Sequence, residues 1–418
     1  PKWCEKIASG EKTIEVRKEI ISYFFKNSFP YSELYVYVCS NQPVTIIITK
    51  DMPNGFLQTD FYDRLFKWYN MSRRCLPWRE TNDPYIIWIS EIILQQTRVA
   101  QGLDYFNRFI SRFPNVKELA NAPEDEVLKY WQGLGYYSRA RNLHEAAKVI
   151  CDRFGSIFPS GYKDVCALKG IGDYTAAAIV SFAWNQPYAV VDGNVYRVLS
   201  RLFAISEPID STRGKKIFKE LAQEILYLRQ PGLYNQAIME LGALQCIPQN
   251  PDCPGCPLSG FCLAFQHNNV QDYPVKQKKT KTVERYLNYF QILLKGCTWI
   301  HKRSGKDIWK GLYEFPLIET EEATGIEKLL AHEELQQWLG KGQNDLTIKG
   351  FPEIKHVLSH QTIHASFYQI HLQKPGNLPG SFLMIKEEDL DNYAFSRLTE
   401  KFLENVSRDA GAISKQLF

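Results

Sequence analysis

From Phe56 to about Phe265, apolar residues recur three and four positions apart, and the pattern breaks at Pro or Gly. FYDRLFKWYN, YIIWISEIILQQT, GLDYFNRFISRF, DEVLKYWQGL, ARNLHEAAKVICDRF, YTAAAIVSFAW, NVYRVLSRLF and GKKIFKELAQEIL all carry it. A helical period sustained over about 210 residues makes the centre of this chain all-α. The flanks read differently. Residues 1–50 contain a helix-like stretch and two β-rich runs, YSELYVYVCS and PVTIIITK, closed by the turn cluster DMPNG. Residues 273–284, YPVKQKKTKTVE, are polar and lysine-rich and read as a linker. From Arg285 onward YLNYFQILLKG and HASFYQIHLQ read as strands and GIEKLLAHEELQQWLG as one helix, which predicts a C-terminal α+β domain.

Composition supports a globular protein of two to three domains: 44% of the 418 residues are hydrophobic and 23% charged. Disorder and collagen-like structure are excluded, and there is no apolar run of about 18 residues to span a membrane. No charged-then-apolar segment opens the chain, so export is not expected. The chain opens at Pro1 rather than Met, and a fragmentary start is expected. A net charge of +4 is too small to argue for a nucleic acid by itself.

Four of the ten cysteines, Cys246, Cys253, Cys256 and Cys262, form C-x6-C-x2-C-x5-C with Pro248, Pro251, Pro254 and Pro257 interleaved. Prolines stiffen loops that would otherwise lose much entropy on wrapping a centre. Converging thiolates suit a soft metal or a cluster, and spacing alone leaves zinc and a four-iron, four-sulfur cluster both open.

Two glycine turns stand out. LKGIG at 168–172 precedes a helix, so Gly170 and Gly172 allow a tight turn whose backbone N–H groups, with the helix N-terminus, suit an anion such as a DNA phosphate. GLGYY at 133–137 is followed by Arg139 and Arg141, and aromatics beside glycine turns and arginines suit unstacked bases.

Two carboxylates are chemically conspicuous. Glu91 lies in a helix that is apolar almost all around, which predicts burial, a raised pKa and a candidate general acid. Asp192 ends an apolar run at Asp-Gly-Asn where a helix begins; it reads as an N-cap and as a carboxylate held against a developing cation.

Together WYNMSRRCLPWR, SEIILQQTRVA, GLGYYSRARNLHEAA, LKGIGDYTAAAI, VVDGNVYRVLSRL and the cysteine run resemble MutY-type adenine DNA glycosylases of the helix-hairpin-helix superfamily. The resemblance covers about residues 56–272. It implies a six-helix module over about 80–186, a cluster module from about 56–79 and 187–272, and a [4Fe–4S] cluster on the four cysteines. It also implies monofunctional excision of adenine opposite 8-oxoguanine or guanine in double-stranded DNA, with Glu91 as acid and Asp192 opposing the oxocarbenium charge. Tyr174 stands where the lyase members of the superfamily carry a lysine, so Schiff-base chemistry is not expected there. Tyr174 and Asn194 match positions supporting the two carboxylates, Arg79 and Gln236 match the adenine pocket, and Gln96, Leu134 and Tyr136 match the wedge that fills the emptied stack. The resemblance further implies a monomer without a membrane partner, in the cytoplasm with the bacterial nucleoid.

The C-terminal region, 285–418, resembles a Nudix domain from IHKRSGKDIWKGLYEFP onward, but AHEELQQWLG lacks the acidic run that holds magnesium. Recognition rather than pyrophosphate hydrolysis is implied. Leu358, Ser359 and His360 in HVLSHQ resemble the family's F-S-H loop that reads 8-oxoguanine, with Leu358 in place of Phe. Residues 1–55 form an extension outside this family; Gly10, Lys12, Glu15 and Arg17 resemble part of an ASCH domain. The rival readings are an endonuclease III-like glycosylase/lyase, opposed by Tyr174 and Glu91, and a silent cluster-bearing DNA-binding protein, opposed by Glu91 and Asp192. A Nudix hydrolase is opposed by the missing acidic run.

Overall fold

The computed structural model describes residues 33–36, 46–49, 59–277, 282–340, 346–358 and 360–416. The ASCH-like motif, the 51–55 turn, three of the linker lysines and Ser359 lie outside the described residues. Strands β1 (Glu33–Val36) and β2 (Ile46–Thr49), which fall within the two β-rich runs, pair antiparallel. Then come helices α1 (Thr59–Ser72), α2 (Pro84–Ile93), α3 (Val99–Arg112), α4 (Val116–Asn121), α5 (Glu124–Trp131) and α6 (Ser138–Phe154). They continue as α7 (Tyr162–Ala167), α8 (Asp173–Trp184), α9 (Gly193–Leu202), α10 (Thr212–Glu224), α11 (Pro231–Leu244) and α12 (Leu263–Gln266). The C-terminal region comprises β3 (Val283–Leu294), β4 (Cys297–Lys302), β5 (Tyr313–Glu314), β6 (Leu317–Thr320), α13 (Ile326–Leu330) and α14 (Glu333–Leu339). It ends with β7 (Thr347–Gly350), β8 (Ile354–Val357), β9 (Gln361–His371), β10 (Leu383–Lys386) and α15 (Arg397–Gln416).

The chain divides into two compact units, residues 1–74 with 189–277, and residues 75–188 with 278–418. In the first, Phe61, Leu65 and Tyr69 recur every four residues along α1 and bury one face with Val198 and Leu202 of α9 and Ile238 and Leu241 of α11. Val275 accepts from the Ile209 N–H, and the Gln277 N–H donates to Asp210. The start of the stretch read as a linker is therefore fastened to this unit, and β3 already begins at Val283.

In the second unit α2 is the central helix. Asp83 caps it by accepting from the Tyr85 N–H at 2.8 Å, Pro84 opens its first turn, and every residue from Ile87 to Ile93 is buried. The helix stops at Ile93, earlier than its apolar pattern suggests, and Gln96 follows in the left-handed region at φ +57°. Its last carbonyls would be orphaned in the core. Arg139, on α6 and only 9% exposed, supplies the donors: Nη1 reaches the carbonyls of Ile92 (2.8 Å), Ile93 (3.0 Å) and Gln95 (2.5 Å). Nη2 reaches those of Leu134 (3.4 Å) and Gly135 (3.2 Å). Arg141 donates to the carbonyl of Lys310. Both arginines that follow the GLGYY turn are thus engaged with backbone carbonyls.

The C-terminal sheet runs β10–β4–β3–β9–β7, with β5, β6 and β8 pairing β4, β3 and β9. β3 and β9 are parallel; the other pairs are antiparallel. Alternation puts Tyr289 and Phe367 on one face against Leu398 and Phe402 of α15. Phe290 and Ile370 lie on the other, against α13 and α14. The single helix expected over GIEKLLAHEELQQWLG is two helices. Leu329 and Leu335 both pack on that face, yet six positions on one helix would set them about 240° apart. The break at Ala331–His332 resolves the conflict.

Replacing Arg139 by Leu leaves five inward carbonyls without their donor. Chemical denaturation should show a loss of about 3–5 kcal/mol in the unit holding α2. A shift under about 1 kcal/mol would mean that those carbonyls find other donors.

Candidate active site

Glu91 sits in the last turn of α2 and is 7% exposed. Tyr174, in the first turn of α8, donates its hydroxyl to Glu91 Oε2 at 2.7 Å. The next residue extends the contact: Thr175 Oγ1 accepts from Gln95 Nε2 at 3.3 Å. The start of α8 is thus laid along the end of the helix that carries Glu91.

That start is made by the glycine turn. Gly170 has φ +81°, and a Cβ there would lie 2.7 Å from the Cβ of Asn142, so both conformation and space require glycine. Gly172 has an ordinary φ of −95° and caps α8. A Cβ there would meet nothing, so the helix N-terminus opens onto free space that an anionic oxygen could use.

The wedge candidates differ among themselves. Gln96 is exposed, and Tyr136 is 46% exposed with φ +47°, an uncommon conformation for a bulky residue. Leu134 lies between them in sequence but is 8% exposed and packed in the helical core. Arg79 ends a short 3-10 turn at Pro77–Arg79 and is half-buried.

In the other unit, Asp192 caps α9: Oδ1 accepts from the Val195 N–H at 2.7 Å and Oδ2 from Asn194 Nδ2 at 2.9 Å. Burial pushes its carboxyl above the usual aspartate range, against the pull of the Val195 and Asn194 donors and of the Arg197 charge. Arg197 donates to Asn194 Oδ1 at 2.9 Å and to the carbonyls of Gly242 and Cys246, both at 2.7 Å. Sequence reasoning did not single out Arg197; its position one turn beyond Asn194 was the available signal. Gln236, on α11, accepts from the Tyr69 hydroxyl at 2.7 Å.

Cys246, Cys253, Cys256 and Cys262 line one recess beside Arg201 and Leu241. Arg201 is 1% exposed. Its guanidinium donates to the carbonyls of Ile247, Pro248, Val270 and Tyr273 and lies 3.4 Å from Cys246 Sγ. Burial pushes the Cys256 thiol up to about 12 and the Cys262 thiol to about 11. Among the described residues no group of three or more His, Cys, Asp and Glu is placed to hold a metal ion. The four cysteines are by their chemistry the soft donor set that a soft metal or a cluster takes.

A helical unit in which a glycine turn opens α8 beside a buried glutamate is followed by a mixed sheet domain, and comparison with known proteins names the class. Residues 89–224 match the HhH-GPD superfamily of base excision DNA repair proteins, and residues 288–405 match the NUDIX domain. An adenine DNA glycosylase of Buchnera aphidicola subsp. Baizongia pistaciae is 35% identical over 317 residues, 75% of this chain and 87% of the relative. The adenine DNA glycosylase of Mus musculus is 32% identical over 385 residues, 79% of this chain and 75% of the relative. A solved thermostable thymine-DNA glycosylase covers 50% of this chain and 95% of its own, at 30% identity and a TM-score of 0.46. The chain belongs to the adenine DNA glycosylase family. Among the described residues no helix is long and apolar enough to cross a membrane.

Carboxyl titration of Asp192, followed by NMR of selectively labelled protein, should have its midpoint above that of an ordinary aspartate. Asn194→Ala removes a hydrogen bond to the charged form and should move the midpoint further up. A midpoint at or below the ordinary value, or a downward move in the variant, would contradict this account.

Proposed function

We propose that this enzyme hydrolyses the N-glycosyl bond of adenine opposite 8-oxoguanine or guanine in double-stranded DNA. The observation that carries the reading is Glu91, a carboxyl buried in an apolar helix and bound by the Tyr174 hydroxyl. Adenine leaves poorly as an anion. Glu91 hands a proton to its imidazole-ring nitrogen, so that the base departs neutral, and a site shielded from bulk water suits that transfer. The sugar becomes oxocarbenium-like as the bond breaks. Asp192, ionised, opposes that charge or attacks it, as the second carboxylate does in retaining glycosidases. Its two oxygens are already oriented by Val195 and Asn194. Glu91 then activates water. Position 174 offers no amine, which favours hydrolysis over a lyase route.

Gly170 and Gly172 hold a DNA phosphate, Arg79 and Gln236 hold the flipped adenine, and Gln96 and Tyr136 enter the stack it leaves. Leu134 supports that wedge from within the core. The four cysteines hold a [4Fe–4S] cluster, which when bound braces the loop that Arg197 and Arg201 tie to α9. In the sheet domain the N–H of Leu358 donates to the Gln361 carbonyl at 2.8 Å, closing the tight turn between β8 and β9. His360 is exposed at that tip, which suits a reader of 8-oxoguanine; Ser359 shares the role.

Base release from duplexes carrying A opposite 8-oxoguanine, A opposite G and oxidised pyrimidines tests the whole. Adenine release from the first two is expected. Glu91→Gln should abolish turnover with duplex binding retained; wild-type single-turnover rates in that variant would remove Glu91 from its role. Efficient release of oxidised pyrimidines would instead support the endonuclease III-like reading.

Anaerobically purified protein should show a broad absorption at the blue edge of the visible range and roughly four irons per chain. Stoichiometric zinc without iron, from cells grown with ample iron, would sink the cluster assignment.

A further inference from the structure

The sheet domain is not merely appended to its helical neighbour. Leu312 and Ala394 are buried within the helical core itself, at 0% and 3% exposure. The segment Tyr393–Ser396 is anchored on the sheet side, where the Tyr313 N–H donates to the Ala394 carbonyl at 2.8 Å and Phe315 and Phe395 stack at 5.8 Å. On its other side the same segment grips the turn after α5. The Tyr137 hydroxyl accepts from the Gly133 N–H at 3.1 Å and reaches the Phe395 carbonyl at 3.4 Å. The Gln132 side chain accepts from the Phe395 N–H at 3.4 Å and donates to Glu400. Lys129 Nζ donates to the Tyr393 carbonyl at 3.1 Å.

What these bonds hold is the wedge turn. Gly133, Gly135 and Tyr136 all have positive φ, at +93°, +74° and +47°. A Cβ on Gly133 would lie 2.2 Å from the Tyr105 hydroxyl oxygen. Strain of this kind persists only where surrounding contacts over-determine it. From beneath, Arg139 binds the carbonyls of Leu134 and Gly135 together with those of Ile92 and Ile93, one and two residues beyond Glu91. From above, the sheet domain reaches the turn through its flanking residues: Phe395 and Glu400 bind Gln132, Phe395 binds Tyr137, and Tyr137 in turn binds the Gly133 N–H. The core of that domain also packs Leu358 and Phe395.

We propose that Gln132 and Tyr137 are specificity-determining positioning residues through which the sheet domain sets the wedge turn, so that the base opposite adenine alters how Tyr136 and the Glu91 helix are presented. The inference rests on the proposed reading of 8-oxoguanine by the β8–β9 turn. It implies that discrimination appears in the rate of base release as well as in binding.

The test uses the full chain and the ratio of single-turnover rates on A:8-oxoG and A:G duplexes. Tyr137→Phe keeps the ring in the core and removes both hydroxyl bonds; Gln132→Ala removes the clamp on Phe395 and Glu400. Each should lower the ratio by about three- to tenfold, the effect of one or two ordinary hydrogen bonds, mostly by slowing A:8-oxoG. Glu400→Ala should lower it too, and the Gln132→Ala/Glu400→Ala pair should be less than additive. Equal slowing of both duplexes would reduce these residues to structural support and overturn the proposal. An unchanged ratio in them, with His360→Ala lowering it, would also overturn it while leaving the reader in place. An unchanged ratio in His360→Ala as well would remove the reader reading, and this inference with it.

Discussion

Carbonyl groups that face inward must find donors, and the two compact units both meet that demand with a buried guanidinium. A helix that ends inside a core leaves orphaned carbonyls, and irregular loops leave more. Arg139 serves five of them at the end of α2 and in the turn after α5. Arg201 serves four around the cysteine loop. A lysine could not do the same: its ammonium offers three donors around one point, whereas the guanidinium fork spreads five across a plane. Burial pushes the Arg139 guanidinium down to about 10, still charged at neutral pH, so the carbonyl dipoles have to solvate a full cation. That shared demand stiffens otherwise irregular backbone.

The proposed chemistry depends on such stiffened ends. Glu91 lies in the final turn of its helix, and Arg139 binds the two residues that follow it. Asp192 lies at the first position before its own helix, and Arg197 reaches from that helix to Asn194 and to the carbonyls of Gly242 and Cys246. Each carboxylate therefore has an immediate partner, Tyr174 or Asn194, and an arginine, the buried Arg139 or the half-buried Arg197, that fixes the element beneath it. Preorganisation of this kind matters because a group that must reorient during reaction loses much of its electrostatic effect.

The sheet domain adds a second layer of constraint on the same turn. Two buried residues of that domain, Leu312 and Ala394, complete the core of the helices, which makes the pair cooperative rather than a chain of separable beads. Deleting residues 285–418 would consequently open an apolar surface on the helical unit as well as remove the proposed reader, and substitutions at the β8–β9 turn separate those two effects.

Local patterns in the amino-acid sequence determined much of this. The three- and four-residue period marked the helices, the runs YLNYFQILLKG and HASFYQIHLQ marked two strands, and Asp-Gly-Asn marked a helix start where Asp192 does cap. An apolar run around Glu91 implied burial because a helix hydrophobic on every side has no wet face. Spacing also drew the four cysteines together, and they line one recess. Tertiary structure alone decided which neighbour of a pair goes inside. Leu134 turns into the core while Tyr136 turns out, and Arg139 is buried under the turn while Arg141 reaches Lys310. It ended α2 at Ile93, and it broke the predicted C-terminal helix so that Leu329 and Leu335 could face one sheet. It also joined Phe395 to Tyr137 across more than half the chain. None of these has a local period, because each is settled by the volume, donors and acceptors that distant segments bring to the same place.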